Sequence, residues 1–274
     1  MKLYTVSLGG SYNNQDRYFV TGGEDGIVLV VLDGASAIQP KRMDAGVYAE
    51  FLGDSIANRL DNQPDVIIPD AVAGAISHTA DQLGLIPDRS PSSTVSVLRT
   101  RPGAVDLYVL GDSPIHYGNG VDHDVLIDDR LDSVARQLRA LYVSRLRAGH
   151  GFDDRHRRTL AELQRAQRRV RNRPGGYWIA ETDPAAAHHG LSLTLHPDEL
   201  TWAVLATDGA ADPIDHFGDS WYRLAHLDLE DYLPLLDELH AWEATVDPGG
   251  AQLPRAKRHD DKTLVAINYL VQEN

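Results

Sequence analysis

Ile27-Val28-Leu29-Val30-Val31-Leu32-Asp33-Gly34 is the stretch that decides how this chain reads: a short apolar run that stops at an acidic residue followed by glycine. Runs of this kind read as strands, and the earlier segments 2–8 and 17–21 read the same way. Glu24-Asp25-Gly26 reads as the hairpin turn between two of them. Two helical patterns follow over 43–60 and 69–83, the second carrying Val72, Ile76 and Leu83 on one face. Strands resume at 93–99, 105–110 and 115–117, with Pro102-Gly103 marking the turn between the first two. Helices are expected over 131–147 and 156–170, strands near 177–180 and 201–206, a helix over 229–244 and a last strand over 263–269. Helices inserted between groups of consecutive strands point to an α+β chain, with antiparallel sheets and helices packed outside them.

The composition narrows the function. With 274 residues, no internal repeat and no long linker, a single domain over 1–274 is expected. A net charge of -14 argues against nucleic acid and anionic lipid as partners. Cysteine is absent, so any metal must be held by oxygen or imidazole, which favours a hard cation. The opening residues have no apolar core with a small-residue cleavage site, and no apolar run approaches the ~18 residues of a membrane span, so a cytoplasmic protein is expected.

Acidic residues beside small ones end several strands: Asp33-Gly34, Gly111-Asp112 and Asp208-Gly209, with Asp260-Asp261 just before the last strand. Each Asp-Gly taken singly is also an ordinary tight turn. Brought together at one edge of a sandwich, such carboxylates could not all stay ionised without cations, which implies Mg²⁺ or Mn²⁺. Two such ions about 3.5–4 Å apart would suit phosphate ester hydrolysis.

The ordered series Asn14-Gln15-Asp16-Arg17, Val31-Leu32-Asp33-Gly34, Ser92-Ser93-Thr94, Leu110-Gly111-Asp112-Ser113, Ala206-Thr207-Asp208-Gly209 and Asp260-Asp261-Lys262-Thr263 resembles the metal-dependent protein phosphatase (PPM, phosphatase 2C-like) family. The resemblance spans nearly the whole chain. It implies a four-layer α/β/β/α sandwich, two antiparallel sheets flanked by helices, with two Mn²⁺ or Mg²⁺ ions at one end. By the same resemblance Asp33 bridges both metals, the Gly34 carbonyl binds the second, and Asp208 and Asp260 complete the first. Asp16 acts through waters, and Asp112 joins Asp208 at a third, weaker metal site. The implied substrate is a phosphorylated protein, hydrolysed at phosphoserine or phosphothreonine by metal-activated water, and the implied setting is signalling.

Two positions depart from the family. Ser11 stands where an arginine usually clamps the substrate phosphate, and Ala35 stands where many members carry His or Met. These departures motivate the alternative of a phosphatase-like pseudoenzyme that binds a partner. His188, His189 and His259 are candidate replacements for a general acid. The arginine-rich segment from Arg155 to Arg173 keeps Leu160, Leu163, Ala166 and Val170 at helical spacing, which favours a docked helix with a solvated basic face. Together with the helix before it, it forms a helical flap-like insertion at about 131–173 where the family has a variable flap. Gly111-Asp112-Ser113 also matches the nucleophile motif of Gly-Asp-Ser esterases, but that family places the motif close to its N-terminus, whereas here it begins at residue 111.

Overall fold

The apolar run 27–32 forms strand β3 (Gly26–Leu32), and every residue after Gly26 is buried. Because side chains alternate across a strand, Val28, Val30 and Leu32 face one way and Ile27, Leu29 and Val31 the other. The first set packs under helices α1 (Ala45–Asn62) and α2 (Ile68–Leu83). The second meets Ala203, Leu205, Val265 and Ile267, which belong to β11 (Trp202–Ala206) and β12 (Lys262–Asn268). Both faces are dry, so the run is continuously apolar instead of alternating. Each such side chain contributes about 1.5–3 kcal/mol on full burial.

Strand β11 mirrors this arrangement in the opposite sheet. Its Trp202, Val204 and Ala206 turn outward against α5 (Asp208–Phe217), α6 (Trp221–Ala225) and α7 (Leu229–Thr245). The result is helices, sheet, sheet and helices, the expected four-layer sandwich.

This computed structural model describes residues 1–11, 13–23, 26–35 and 43–269; the hairpin tip at Glu24-Asp25 lies outside the described residues, as do Ser36 and Ala37. The remaining strands are β1 (Lys2–Leu8), β2 (Arg17–Gly23), the short β4 (Gly34–Ala35) and β5 (Ser92–Ser93), β6 (Val95–Arg101), β7 (Ala104–Leu110), β8 (Ile115–Gly118), β9 (Asp124–Leu126) and β10 (Leu191–Leu195). One five-stranded sheet has the order β1-β12-β11-β8-β9 and the other β10-β7-β6-β3-β2, while β4 pairs with β5 alone. All pairings are antiparallel, with Leu29 opposite Leu98 in one sheet and Leu205 opposite Val265 in the other.

The expected strand at 177–180 does not form. Its residues make only two isolated bridges, Arg171 with Tyr177 and Ser93 with Ala180. Tyr177 and Ile179 pack instead with Leu131 and Val134. Helices α3 (Arg136–Arg147) and α4 (Asp154–Val170) close on each other through Tyr142, Leu146 and Leu163, which gives the arginine-rich helix its docked face. Among the described residues no helix is long and apolar enough to cross a membrane.

Candidate active site

Topology brings the acidic motifs to one edge. Strands β3 and β7 flank β6 antiparallel and so point the same way, ending at Asp33 and Asp112. In the facing sheet β11 runs out into Asp208 beside the start of β12, which Asp260 and Asp261 precede. Asp16 enters at the same edge, because Arg17 at the start of β2 lies opposite Leu32. Asp16, Asp33, Asp112, Asp208 and Asp260 therefore converge.

Close backbone approach explains the two glycines. A Cβ on Gly34 would lie 2.6 Å from the Gln15 carbonyl oxygen and 3.0 Å from that of Ala45. One on Gly209 would lie 2.0 Å from the Asp261 carbonyl oxygen and 2.8 Å from the Asp260 Cβ. Gly209→Ala is therefore expected to destabilise the protein by about 1–3 kcal/mol through overpacking, read as a lower urea midpoint. An unchanged midpoint would contradict the close packing of these two loops.

Hydroxyls hold the aspartates in place. The Asp33 amide donates to Thr94 Oγ1 at 3.0 Å, and its carbonyl accepts from Ser93 Oγ at 2.9 Å. Thr94 Oγ1 also meets Ser113 Oγ at 2.7 Å, and Ser96 Oγ donates to the Ser113 carbonyl at 2.6 Å. Ser113 is buried in this scaffold, so it is not a free nucleophile. On the other side, Thr207 Oγ1 donates to Asp16 Oδ2 at 2.8 Å and accepts from the Thr263 amide at 3.0 Å. Asp261 accepts from the Gly10 and Gln15 amides at 2.7 and 2.9 Å, which pins the loop that carries Asp16.

The electrostatics record the crowding. Burial, then the charges of Asp208, Asp16 and Asp260, hold Asp33 well above the usual carboxylate range. Burial pushes Asp16 up to about 8 against the pull of its Thr207 hydrogen bond. Asp112 rises to about 7, by burial and then Asp208; Asp260 rises to about 6 for the same two reasons, with Lys257 opposing. Asp212 was not foreseen from the sequence. It lies one helical turn after Asp208 on α5 and rises to about 7 through burial, Asp208 and Asp112. For Asp33, Asp112, Asp212 and Asp260 alike, the strongest effect of a neighbouring negative charge comes from Asp208.

Among the described residues, two cations face the cluster. Lys257 Nζ is 2.5 Å from Asp260 Oδ1, and its charge also feels Asp33 and Asp261. From α3, Arg139 pairs with Asp132 and lowers the proton affinity of Asp112 and Asp212. Neither Ser11, at the position of the family's usual phosphate clamp, nor the neighbouring Arg17 is free to grip phosphate. Ser11 Oγ donates to the His259 carbonyl at 3.1 Å. Arg17 is spent on Glu50 at 2.6 Å and on the Asn14 and Asp16 carbonyls at 2.9 and 2.7 Å.

The candidate histidines are committed elsewhere. His259 Nδ1 lies 3.0 Å from Glu243 Oε2, and its ring stacks on His240 at 4.0 Å. His188 faces Asp70 at 3.8 Å, and His189 stacks on Trp178 at 3.4 Å. His240, Glu243 and His259 could gather around an ion, but the buried Lys262 Nζ already stands 3.0 Å from Glu243 Oε2 and neutralises it.

The aspartate edge does suit cations. Its donors are all oxygen, which fits Mg²⁺ or Mn²⁺. Asp16 Oδ1 is buried with no hydrogen-bond partner, and the carboxylates repel one another. A cleft beside the cluster is lined by Gly111, Asp112, Asp128, Leu131 and Trp178.

The sandwich is the fold of the bacterial PPM serine/threonine phosphatases. The Mycobacterium tuberculosis serine/threonine phosphatase PstP/Ppp superposes with a TM-score of 0.59 at 16% identity, over 97% of each chain. The PPM Ser-Thr phosphatase MsPP from Mycobacterium smegmatis, in complex with cacodylate, gives 0.55 at 19% identity over 98% of each. Staphylococcus aureus Stp1 gives 0.55 at 12% identity, over 98% of this chain and 94% of that one. No family model matches the sequence, and no curated protein matches it.

Proposed function

We propose that the protein is a metal-dependent phosphatase that hydrolyses phosphoserine and phosphothreonine esters in proteins. The convergence of Asp16, Asp33, Asp112, Asp208 and Asp260 on one edge, each of the first three and Asp260 raised by burial and like charge, carries this reading. Asp33, Asp208 and Asp260, with the Gly34 carbonyl, are the proposed holders of two Mn²⁺ or Mg²⁺ ions. Asp112 and Asp212 would join Asp208 at a third position. Bound there, such ions would supply a water of lowered pKa and would stabilise the oxygens of an in-line displacement at phosphorus.

The residues of the chain do the rest. Asp16 Oδ1, buried and unpartnered, is poised to accept a hydrogen bond from water, while Thr207 fixes the other oxygen at 2.8 Å. Ser93 and Thr94 hold the Asp33 backbone against movement. The insertion at 131–173 is the proposed flap, since α3 presents Arg139 toward Asp112 and Asp212. Ala35 offers no proton to the leaving group. General acid help is worth about 10²–10⁴ in rate, so alkyl phosphoesters should turn over slowly and aryl phosphates better.

A partner-binding pseudoenzyme is the second reading, favoured by the commitment of Ser11, Arg17 and His259 to structural bonds. Hydrolysis of para-nitrophenyl phosphate and a phosphothreonine peptide with Mn²⁺, Mg²⁺ or chelator separates the two. Metal-dependent turnover of both, with the aryl ester faster, is expected. Calorimetric Mn²⁺ binding without turnover on either substrate would select the pseudoenzyme.

A further inference from the structure

We propose that Lys257 is the phosphate-binding residue of this site, serving as the resident counter-ion of Asp260 until a divalent cation displaces it toward the substrate. The inference rests on the phosphatase reading above and adds to it the group that grips the substrate.

A phosphoryl group brought to this edge meets a ring of carboxylates. A side-chain cation there would add a charge-assisted hydrogen bond to the phosphoryl oxygens. Ser11 brings none, and Arg17 is held between Glu50 and two backbone carbonyls. Arg255 is likewise taken, bound to Asp247 at 2.8 Å; Arg139 is paired with Asp132, and Lys262 is fully buried against Glu243. Lys257 differs from all of these. It sits in the loop before β12, its side chain is 41% exposed, and among the described residues it pairs with Asp260 alone, a proposed metal ligand.

Asp260 Oδ1 accepts the Asp261 amide at 2.9 Å and meets the ammonium at 2.5 Å. A divalent cation on the same carboxylate would draw on the charge that holds the ammonium and so weaken that contact. Released, the ammonium stays tethered by a flexible four-carbon stem at the mouth of the site, between solvent and Asp33. On the phosphatase reading, phosphoryl oxygens facing the metal edge would come within its reach. A lysine is a point charge without the fork of a guanidinium, so it secures phosphate with less geometric selectivity than an arginine would.

The test is calorimetry with Mn²⁺, and with inorganic phosphate at saturating Mn²⁺, on the wild type, Lys257→Ala, Lys257→Gln and Lys257→Arg, with melting curves as a folding check. Both neutral variants should bind Mn²⁺ several-fold more tightly, because the competitor is gone. They should bind phosphate about tenfold or more weakly, the loss of one charge-assisted contact. Lys257→Arg should restore phosphate binding. In turnover assays the neutral variants should raise KM far more than they lower kcat. Unchanged phosphate affinity in both neutral variants overturns the proposal whatever Mn²⁺ does, and so does weaker Mn²⁺ binding, which would make Lys257 a support of the metal site. A wild type that binds no Mn²⁺ defeats the phosphatase reading and the proposal with it, whereas a failed Lys257 series with normal Mn²⁺ binding defeats the proposal alone.

Discussion

Asp208→Asn is expected to lower Mn²⁺-dependent turnover roughly 10³-fold or more, and at the same time to raise the melting temperature of the protein in chelator. The two effects have one cause. Asp208 is the carboxylate whose charge bears most on Asp33, Asp112, Asp212 and Asp260. With metal bound, a central ligand of this kind contributes several kcal/mol of charge stabilisation, and each 1.4 kcal/mol or so is a factor of ten in rate. Without metal, the same charge only repels its neighbours. Asn keeps the shape and removes the charge. One effect opposes the gain: Asp208 opens α5, where a negative charge is favoured by the helix dipole by about 0.3–1 kcal/mol. Relief of repulsion from four buried carboxyls outweighs it, so the melting temperature in chelator should rise by a few degrees, at roughly 2–4 °C per kcal/mol for a chain of this size. Turnover retained within tenfold would remove Asp208 from the metal site. A melting temperature lowered in chelator would mean that protein partners satisfy the carboxylate, and the metal reading would lose its physical motive.

The strand-end aspartates were legible because their placement follows from the alternation and length of strands. An apolar run such as 27–32 fixes where Asp33 emerges, and four runs of that kind place four motifs at one edge. Asp212 escaped notice because the helix that carries it, Asp208–Phe217, is short and contains Gly209 and Pro213, residues that break helical patterns in sequence. Once that helix is known, the spacing of Asp208 and Asp212 puts both on one face. The segment 177–180 failed for the opposite reason. Tyr177, Trp178 and Ile179 look like a strand, yet they cover the cleft beside Asp112 and make no ladder. Lys257 was invisible in sequence because the loop around it is shaped by side-chain bonds that follow no helix or strand pattern. Asp247 accepts from the amides of Ala251, Gln252 and Leu253 and from Arg255, which turns the chain so that Lys257 meets Asp260 while the His259 ring faces α7. Adjacency to Asp260 made His259 look like the residue of interest; in the folded chain Lys257 faces Asp260 and His259 faces Glu243.

In chelator the protein should lose stability as pH rises from about 6.5 to about 8, and with saturating Mn²⁺ that loss should disappear or reverse. Asp16, Asp112 and Asp212 have an ordinary value of 3.8 and rise in the fold to about 8, 7 and 7, while Asp33 also rises. Between those limits the folded chain holds protons that the unfolded chain has released. Stability from these groups is therefore complete below about pH 4 and is lost as pH rises through the folded values. The groups facing the other way act lower. His116, buried and pushed down to about 3, and His240, also lowered by burial, stabilise the fold as pH rises toward 6.5, which masks the aspartates there. Asp106, lowered to about 2 within its hydrogen bonds to Arg101 and Arg99, acts only below its ordinary 3.8. Above 6.5 the aspartates are unopposed, and at about 1.4 kcal/mol per pKa unit the change should be a few kcal/mol, visible as a melting temperature roughly 5 °C or more lower at pH 8 than at pH 6.5. Mn²⁺ binds only the ionised carboxylates, so its affinity grows with pH over the same window and its stabilisation grows with it. Melting curves at pH 6.5, 7.2 and 8, each with chelator and with Mn²⁺, read both slopes at once. A flat profile in chelator would mean that the carboxylates are ionised and satisfied without metal, and parallel profiles with and without Mn²⁺ would mean that the ion binds somewhere other than this edge.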